Sequence, residues 1–291
     1  MTEAATSAPP RIDAHHHLWR YTPEEFGWID DRSAALRRDF LVPELSHELR
    51  AANVSGCIAV QAPQTLAETD VLLAAAETAN SPILGVVGWL PLADPTFPHI
   101  LTPYLRREKL KGLRHILQAE PAGFLSSPAF NRGIATLAGT GLVFDLLLHA
   151  GQLREAISFV DRHPSQLFVL DHLGKPPIAS GQLEPWRTHL TELSLRPHVS
   201  CKLSGMATEA RWADRPRASP GTLAQSLRPF VDAALAAFSP ARLMIGSDWP
   251  VLTVDCTYAQ WWHTVETWLA PLTSTEQAAI LGNTATRIYS L

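Results

Sequence analysis

Leu142-Val143-Phe144-Asp145-Leu146-Leu147-Leu148 is apolar at every position but one. A strand with one wet face alternates apolar and polar residues, because successive side chains point to opposite faces. This run does not alternate, so both of its faces expect cover. Strands of that kind belong to parallel sheets flanked by helices. Seven further short apolar runs accompany it, namely Ile12–His16, Gly56–Val60, Ile83–Trp89, Gly112–Ile116, Leu167–Leu170, Val199–Leu203 and Leu243–Gly246. Stretches with helical spacing separate them: Pro43–Asn53, Leu66–Asn80, Phe97–Arg107, Pro128–Gly139, Gln152–His163, Pro185–Leu193 and Leu223–Phe238. Tyr258–Leu269 follows the last run, and Ser274–Leu281 and Asn283–Tyr289 close the chain. Eight strand–helix repeats in 291 residues predict a single α/β domain, a (β/α)8 barrel. A doubly wound open sheet is the alternative. No Gly-x-Gly-x-x-Gly follows the first run, which argues against a dinucleotide fold.

Composition supports a globular chain, with 46% hydrophobic and 18% charged residues. The net charge of −4 and a pI near 6.3 leave no basic footprint for nucleic acid. No apolar run is long enough for a membrane span. Residues 1–10 (MTEAATSAPP) lack the charged and apolar regions of a signal peptide and are expected to be a disordered leader before a barrel over 11–291. Cys57, Cys201 and Cys256 show no metal-type spacing and predict buried free thiols in a reducing, cytoplasmic setting. The polar stretch Thr208–Pro220 reads as a long loop over the barrel mouth.

Chemistry concentrates at the ends of the runs. In Asp13-Ala14-His15-His16-His17, His15 and His17 share one face and His16 takes the other. Two such imidazoles can serve one metal or one substrate. Asp248, in Gly246-Ser247-Asp248-Trp249-Pro250, follows the last run. A closed barrel makes its first and last strands neighbours, so these three groups would meet at the end where barrel active sites lie. Gln61 ends run two, Arg114 and His115 end run four, and His149 follows run five. Asp171-His172 end run six, and Lys202 lies in run seven. A lone histidine beside a strand is more often structural than functional; His16, His47, His99, His163, His189, His198 and His263 fall in that class. Asp145 and Asp171 read as structural hydrogen-bonding groups, with Asp171 and His172 facing opposite sides. Lys202 also has a plain reading, as an interior lysine paired with a carboxylate.

Five ordered motifs carry a resemblance: Asp13-Ala14-His15-His16-His17-Leu18-Trp19, Lys111-Gly112-Leu113-Arg114-His115, Leu170-Asp171-His172-Leu173-Gly174-Lys175-Pro176, Cys201-Lys202-Leu203-Ser204-Gly205 and Gly246-Ser247-Asp248-Trp249-Pro250. Together they resemble the amidohydrolase superfamily, and more narrowly its lactonase branch, over almost all of the chain after the leader. The resemblance implies a distorted barrel that hydrolyses a cyclic ester, with Asp248 as the base that activates water; the developing oxyanion is expected to be held by a metal, or by His172 and Arg114 if none binds. His15, His17, His172 and Asp248 match metal-ligand positions. Where many members carry a bridging lysine on strand four, this chain has Arg114-His115, so one divalent ion, zinc foremost, is implied rather than two. A metal-free route is the alternative. His115, Lys202, Gln61, Trp28 and Trp249 are the expected substrate contacts. A small lactone of a sugar acid, such as L-fuconolactone or L-rhamnonolactone, is the expected substrate, with no nucleic-acid or membrane partner. Lactones of aromatic degradation (4-sulfomuconolactone or pyrone-dicarboxylate type) and metal-dependent decarboxylation are the alternatives.

Overall fold

In the computed structural model, residues 10–214 and 221–291 are described. Eight parallel strands form one sheet in sequence order: β1 (Ile12–His16), β2 (Gly56–Val60), β3 (Ile83–Gly88), β4 (Leu110–His115), β5 (Val143–Leu146), β6 (Phe168–Leu170), β7 (Val199–Leu203) and β8 (Leu243–Ile245). Between them run α1 (Val42–Ala51), α2 (Leu66–Glu77), α3 (Phe97–Tyr104), α4 (Pro128–Leu137), α5 (Leu153–Asp161), α6 (Trp186–Ser194), α7 (Met206–Glu209) and α8 (Leu223–Phe238). After β8 come α9 (Tyr258–Leu269), α10 (Ser274–Ala278) and α11 (Thr284–Tyr289). This is the expected (β/α)8 barrel. β5 is shorter than its apolar run at both ends, and just beyond it the Leu147 carbonyl accepts from the Gln118 N–H at 3.0 Å.

The barrel closes where its first and last strands meet. The Asp248 N–H donates to the His15 carbonyl at 2.8 Å, and the His17 N–H to that of Trp249 at 2.6 Å. Beside this seam the Asp13 carboxylate accepts from the Ser247 N–H (2.8 Å), the Ser247 hydroxyl (2.6 Å) and the Tyr258 hydroxyl (3.0 Å). Burial pushes Asp13 up to about 6, against the pull of those bonds.

Two apolar clusters hold the fold. One joins strand side chains to the surrounding helices. The smaller one contains Ile12, Ala14, Ile58, Val87, Val143 and Val169 with Ala285, Ile288 and Tyr289 of α11. The last helix therefore packs on the barrel's own inner residues. The three cysteines are buried and free, as expected. Of the expected leader only Pro10 is described; residues 1–9 lie outside the described residues. The loop expected from Thr208 begins instead inside α7, and Trp212–Asp214 form a further helical turn. Its remainder, 215–220, also lies outside the described residues. Among the described residues no helix is long and apolar enough to cross a membrane.

Candidate active site

A cavity of about 360 Å³ opens at the C-terminal ends of the strands, with His17, Arg114, His172, Lys175, Asp248 and Trp28 in its wall. His15 lies below them, fully buried. The Nε2 atoms of His15 and His17 are 3.3 Å apart. Asp248 Oδ1 lies 3.3 Å from His17 Nε2, 3.8 Å from His15 Nε2 and 4.0 Å from His172 Nε2. The first and last strands thus bring together the three groups that the sequence placed at their ends.

Local backbone irregularities make this convergence possible. The pairing register of β1 shifts between Asp13 and His16. Ala14 packs in the inner cluster, and its neighbour His15 reaches Asp171 and Lys202 as well. A bulge re-aims side chains in this way, and bulges gather beside active sites. Asp248 holds a left-handed φ of +63°, rare for a residue with a Cβ. After β6 the chain takes four left-handed residues in succession: His172, Leu173, Gly174 and Lys175 (φ +53°, +56°, +66° and +49°). This corrects the expectation that Asp171 and His172 face opposite sides. The strand ends at Leu170, and the reversed turn brings both residues to His15: Asp171 Oδ1 lies 3.3 Å from His15 Nδ1, and the His15 and His172 rings are 4.5 Å apart. His172 Nδ1 is fixed by the Ser204 hydroxyl at 2.8 Å. Gly205 leaves room for it, since a Cβ there would sit 2.7 Å from His172 Nδ1.

Beneath the cavity lies a buried ionic layer. Lys202 Nζ bonds Asp145 and stands 3.1 Å from Asp171 Oδ1. Tyr289 of α11 donates to Asp145 at 2.7 Å. Arg114 Nη1 lies 3.2 Å from Asp171 Oδ2 and 3.3 Å from His15 Nε2, and its Nη2 donates to the Gln61 carbonyl. Burial pushes Asp145 up to about 6, with Lys202 opposing it. Asp171 behaves oppositely: burial raises it, but Lys202 and His15 hold it well below the usual carboxylate range. Burial keeps His15 well below the ordinary imidazole value, and lowers His172 to about 4. For Asp248, burial is outweighed by His172, His17 and His15, which hold it below the carboxylate range. At neutral pH the site is therefore an aspartate facing neutral His15 and His172.

Several expected substrate contacts stand elsewhere. Lys202 is fully buried in the ionic layer and does not reach the cavity wall, in keeping with its plainer reading. Gln61 is also buried, its amide 3.4 Å from the Arg114 carbonyl. Trp249 packs edge-on against Phe40 at 5.4 Å between ring centres. His115 is held by Glu120 (2.7 Å) and Trp89 (3.3 Å) outside the wall. His149 is exposed at the turn before α5 and also off the wall. Trp28 does line the cavity, 53% exposed at its rim. Of the wall residues not singled out from the sequence as contacts, Lys175 and Gln118 carry polar chains, beside Trp19 and several apolar residues. Lys175 stood in a quoted motif, but nothing in its spacing signals the left-handed turn that aims it inward.

The donor set suits one divalent ion. Tetrahedral bonds of about 2.0–2.1 Å to zinc set ligand atoms about 3.4 Å apart, and His15 Nε2, His17 Nε2 and Asp248 Oδ1 are separated by 3.3–3.8 Å. His17 Nδ1 faces the Val60 carbonyl at 2.8 Å, which places the proton there and leaves Nε2 its lone pair. A second cluster, His15, Asp171 and His172, also has ligand-like spacing. There the Lys202 ammonium already stands 3.3 Å from His15 Nδ1 and 3.1 Å from Asp171, in the place a cation would take.

A family model described as amidohydrolase matches residues 12–291. A protein of Burkholderia multivorans named L-fucono-1,5-lactonase is 40% identical over 290 residues, covering 97% of this chain and 96% of that one. A protein of the same name from Burkholderia ambifaria is 34% identical over 242 residues, covering 83% and 80%. A crystal structure of an amidohydrolase from B. multivorans with bound zinc superposes with a TM-score of 0.91 at 40% identity, covering 97% of this chain and 99% of that one.

Proposed function

This chain belongs to the amidohydrolase family, and we propose that it is a lactone hydrolase that opens the ring of a sugar-acid lactone, L-fucono-1,5-lactone foremost. One observation carries the chemistry. A buried carboxylate, Asp248, stands on the cavity wall 3.3 Å from His17 and 4.0 Å from His172, where a small ester and a water can meet it. The two relatives named L-fucono-1,5-lactonase support the substrate class.

Water adds to the ester carbonyl as Asp248 takes its proton, forming the new C–O bond. The ring C–O bond then breaks, and protonated Asp248 returns the proton to the departing ring oxygen. With the Ser204 hydroxyl on Nδ1, the neutral His172 ring turns its Nε2–H toward the cavity, where it can donate to the developing oxyanion. The Arg114 guanidinium, on the same wall, adds a fixed positive charge. His15, His17 and Asp248 would hold one divalent ion, zinc by analogy with the relative crystallised with it. Such an ion would supply Lewis acidity to the carbonyl oxygen and lower the pKa of a water. His172 and Asp171 would then orient the ligand His15 rather than bind the ion themselves.

Proton release from a panel of lactones, followed at neutral pH, tests the reaction class. Asp248→Asn is expected to lower kcat by about 10²–10⁴-fold, with KM changed only a few-fold. Near-normal kcat in that variant removes Asp248 from the base role. Carbon dioxide in place of a proton would move the chain to decarboxylation.

A further inference from the structure

Both ring nitrogens of His15 are contested. A neutral imidazole carries one N–H, on Nδ1 or on Nε2, and binds an ion only through the other nitrogen. Each nitrogen of His15 faces one donor and one carboxylate. Beside Nδ1 stand the Lys202 ammonium and Asp171 Oδ1, each at 3.3 Å. Beside Nε2 stand Arg114 Nη1 at 3.3 Å and Asp248 Oδ1 at 3.8 Å. A donor favours a lone pair on the nitrogen it faces, and a carboxylate favours a proton there. Only with the proton on Nδ1 does Nε2 turn a lone pair toward His17 and Asp248, where an ion would sit. For His17 the Val60 carbonyl settles the same question. For His15 it is settled by what holds Lys202.

Lys202, Asp145 and Asp171 are fully buried, so this ammonium is steered by protein groups rather than by bulk water. Asp145 Oδ2 is nearest to it at 2.5 Å, ahead of Asp171 Oδ1 at 3.1 Å and His15 at 3.3 Å. Asp145 on β5 is held in turn by the Tyr289 hydroxyl, 2.7 and 3.0 Å from its two oxygens. Tyr289 belongs to the inner apolar cluster with Ile12, Ala14 and Val143, which fixes it against the barrel. The ammonium is thereby drawn toward β5 and away from the imidazole on β1. Asp171 is left as the stronger partner of Nδ1, and the proton belongs there. Charge acts in the same direction once an ion is bound. The ion would repel the ammonium, and Asp145 is the carboxylate that balances it. Neither Asp145 nor Tyr289 lines the cavity.

We propose that Asp145 and Tyr289 are positioning residues for the metal centre: they anchor Lys202 so that Asp171, and not the ammonium, partners His15 Nδ1, which keeps Nε2 free to bind an ion. The proposal rests on the reading of His15, His17 and Asp248 as the ligands of one divalent ion. Its test has two readouts, neither of them activity. In metal-free protein with isotope-labelled histidine, proton–nitrogen correlation spectra report which nitrogen of His15 is protonated, its signals being identified by their loss in His15→Gln. Zinc affinity is measured by competition with a chromogenic chelator. The wild type, Asp145→Asn, Tyr289→Phe and the double variant Asp145→Asn/Lys202→Met are compared, with melting temperatures alongside. The wild type is expected to show the Nδ1–H form. Asp145→Asn, which frees the ammonium for His15, should give the Nε2–H form and weaken zinc by about 10–100-fold. Tyr289→Phe should give a mixture of the two forms and a few-fold loss. The double variant removes the competing donor and should restore both tautomer and affinity. An Nε2–H form in the wild type overturns the proposal. So does a loss of affinity in Asp145→Asn with the Nδ1–H form intact, which is a plain charge effect, and so does a double variant that folds but stays in the Nε2–H form. Should Asp145→Asn not fold, an unchanged tautomer and affinity in Tyr289→Phe overturn it. Zinc binding by the wild type that Asp145→Asn leaves unchanged overturns the proposal alone. A wild type that binds no zinc overturns the ion reading and the proposal with it.

Discussion

Glu68, in the first turn of α2, is a carboxylate that the fold holds at a cost. It borders an apolar groove with Phe26, Leu41, Pro63 and Leu72, and its Oε1 accepts from the Ala62 N–H at 3.2 Å. Burial, reinforced by Glu25, pushes it from 4.5 up to about 7. A carboxyl raised by folding favours the folded state while protonated. Its contribution is thus complete below pH 4.5 and lost as pH rises through about 7. Glu68→Gln keeps an oxygen for the Ala62 N–H and removes the ionisation. Its stability should match the wild type near pH 4 and exceed it by on the order of 2 kcal/mol at pH 8. Melting curves across that range check this; a variant less stable than the wild type at pH 8 would show that Glu68 is a needed anion.

The turn from His172 to Lys175 is the element on which the site's geometry depends. Gly205, at φ +64°, lets β7 run into α7 without touching the imidazole. Gly205→Ala would add a Cβ 2.7 Å from His172 Nδ1 at a left-handed position. It should cost about 1–2 kcal/mol of stability from backbone strain alone. It should also lower kcat well beyond what that loss explains, because His172 must move; unchanged kcat would show that His172 has slack. The elements differ in how far they could be read from the sequence. β1, β2, β7, α8 and α9 have the bounds their apolar patterns predict, because burial on both faces of a strand, or one face of a helix, leaves its mark residue by residue. The left-handed turn left no mark. Three of its four residues are not glycine, and only the surrounding packing holds them there. Depth was equally hidden. Each residue along a strand moves about 3.3 Å, so Lys202, one place before the end of β7, belongs to the ionic layer and not the mouth. Tyr289 reaches Asp145 from α11 across 144 residues, a partnership that no local pattern encodes.

At the scale of the whole molecule the seam between β1 and β8 is the closure on which everything else depends. His15 and His17 stand on one side of it and Asp248 on the other. An ion bound to all three would join the first strand to the last, and a ligand that binds only the folded chain stabilises it by mass action. Zinc at a hundredfold excess over its Kd should add about 2.7 kcal/mol, raising the melting temperature by several degrees, and a chelator should reverse the gain. A melting temperature indifferent to both would place no ion at the seam. The same closure bears on synthesis. Asp13 and its partner Ser247 are separated by 234 positions. A ribosome adding about 5–20 residues per second takes roughly ten to fifty seconds to pass from one to the other. Throughout that interval the newborn chain carries its histidines without their aspartate, and its first strand without the neighbour that will seal it. A partial product of translation lacks Asp248, and its first strand keeps an unpaired edge for as long as its last neighbour is still inside the ribosome.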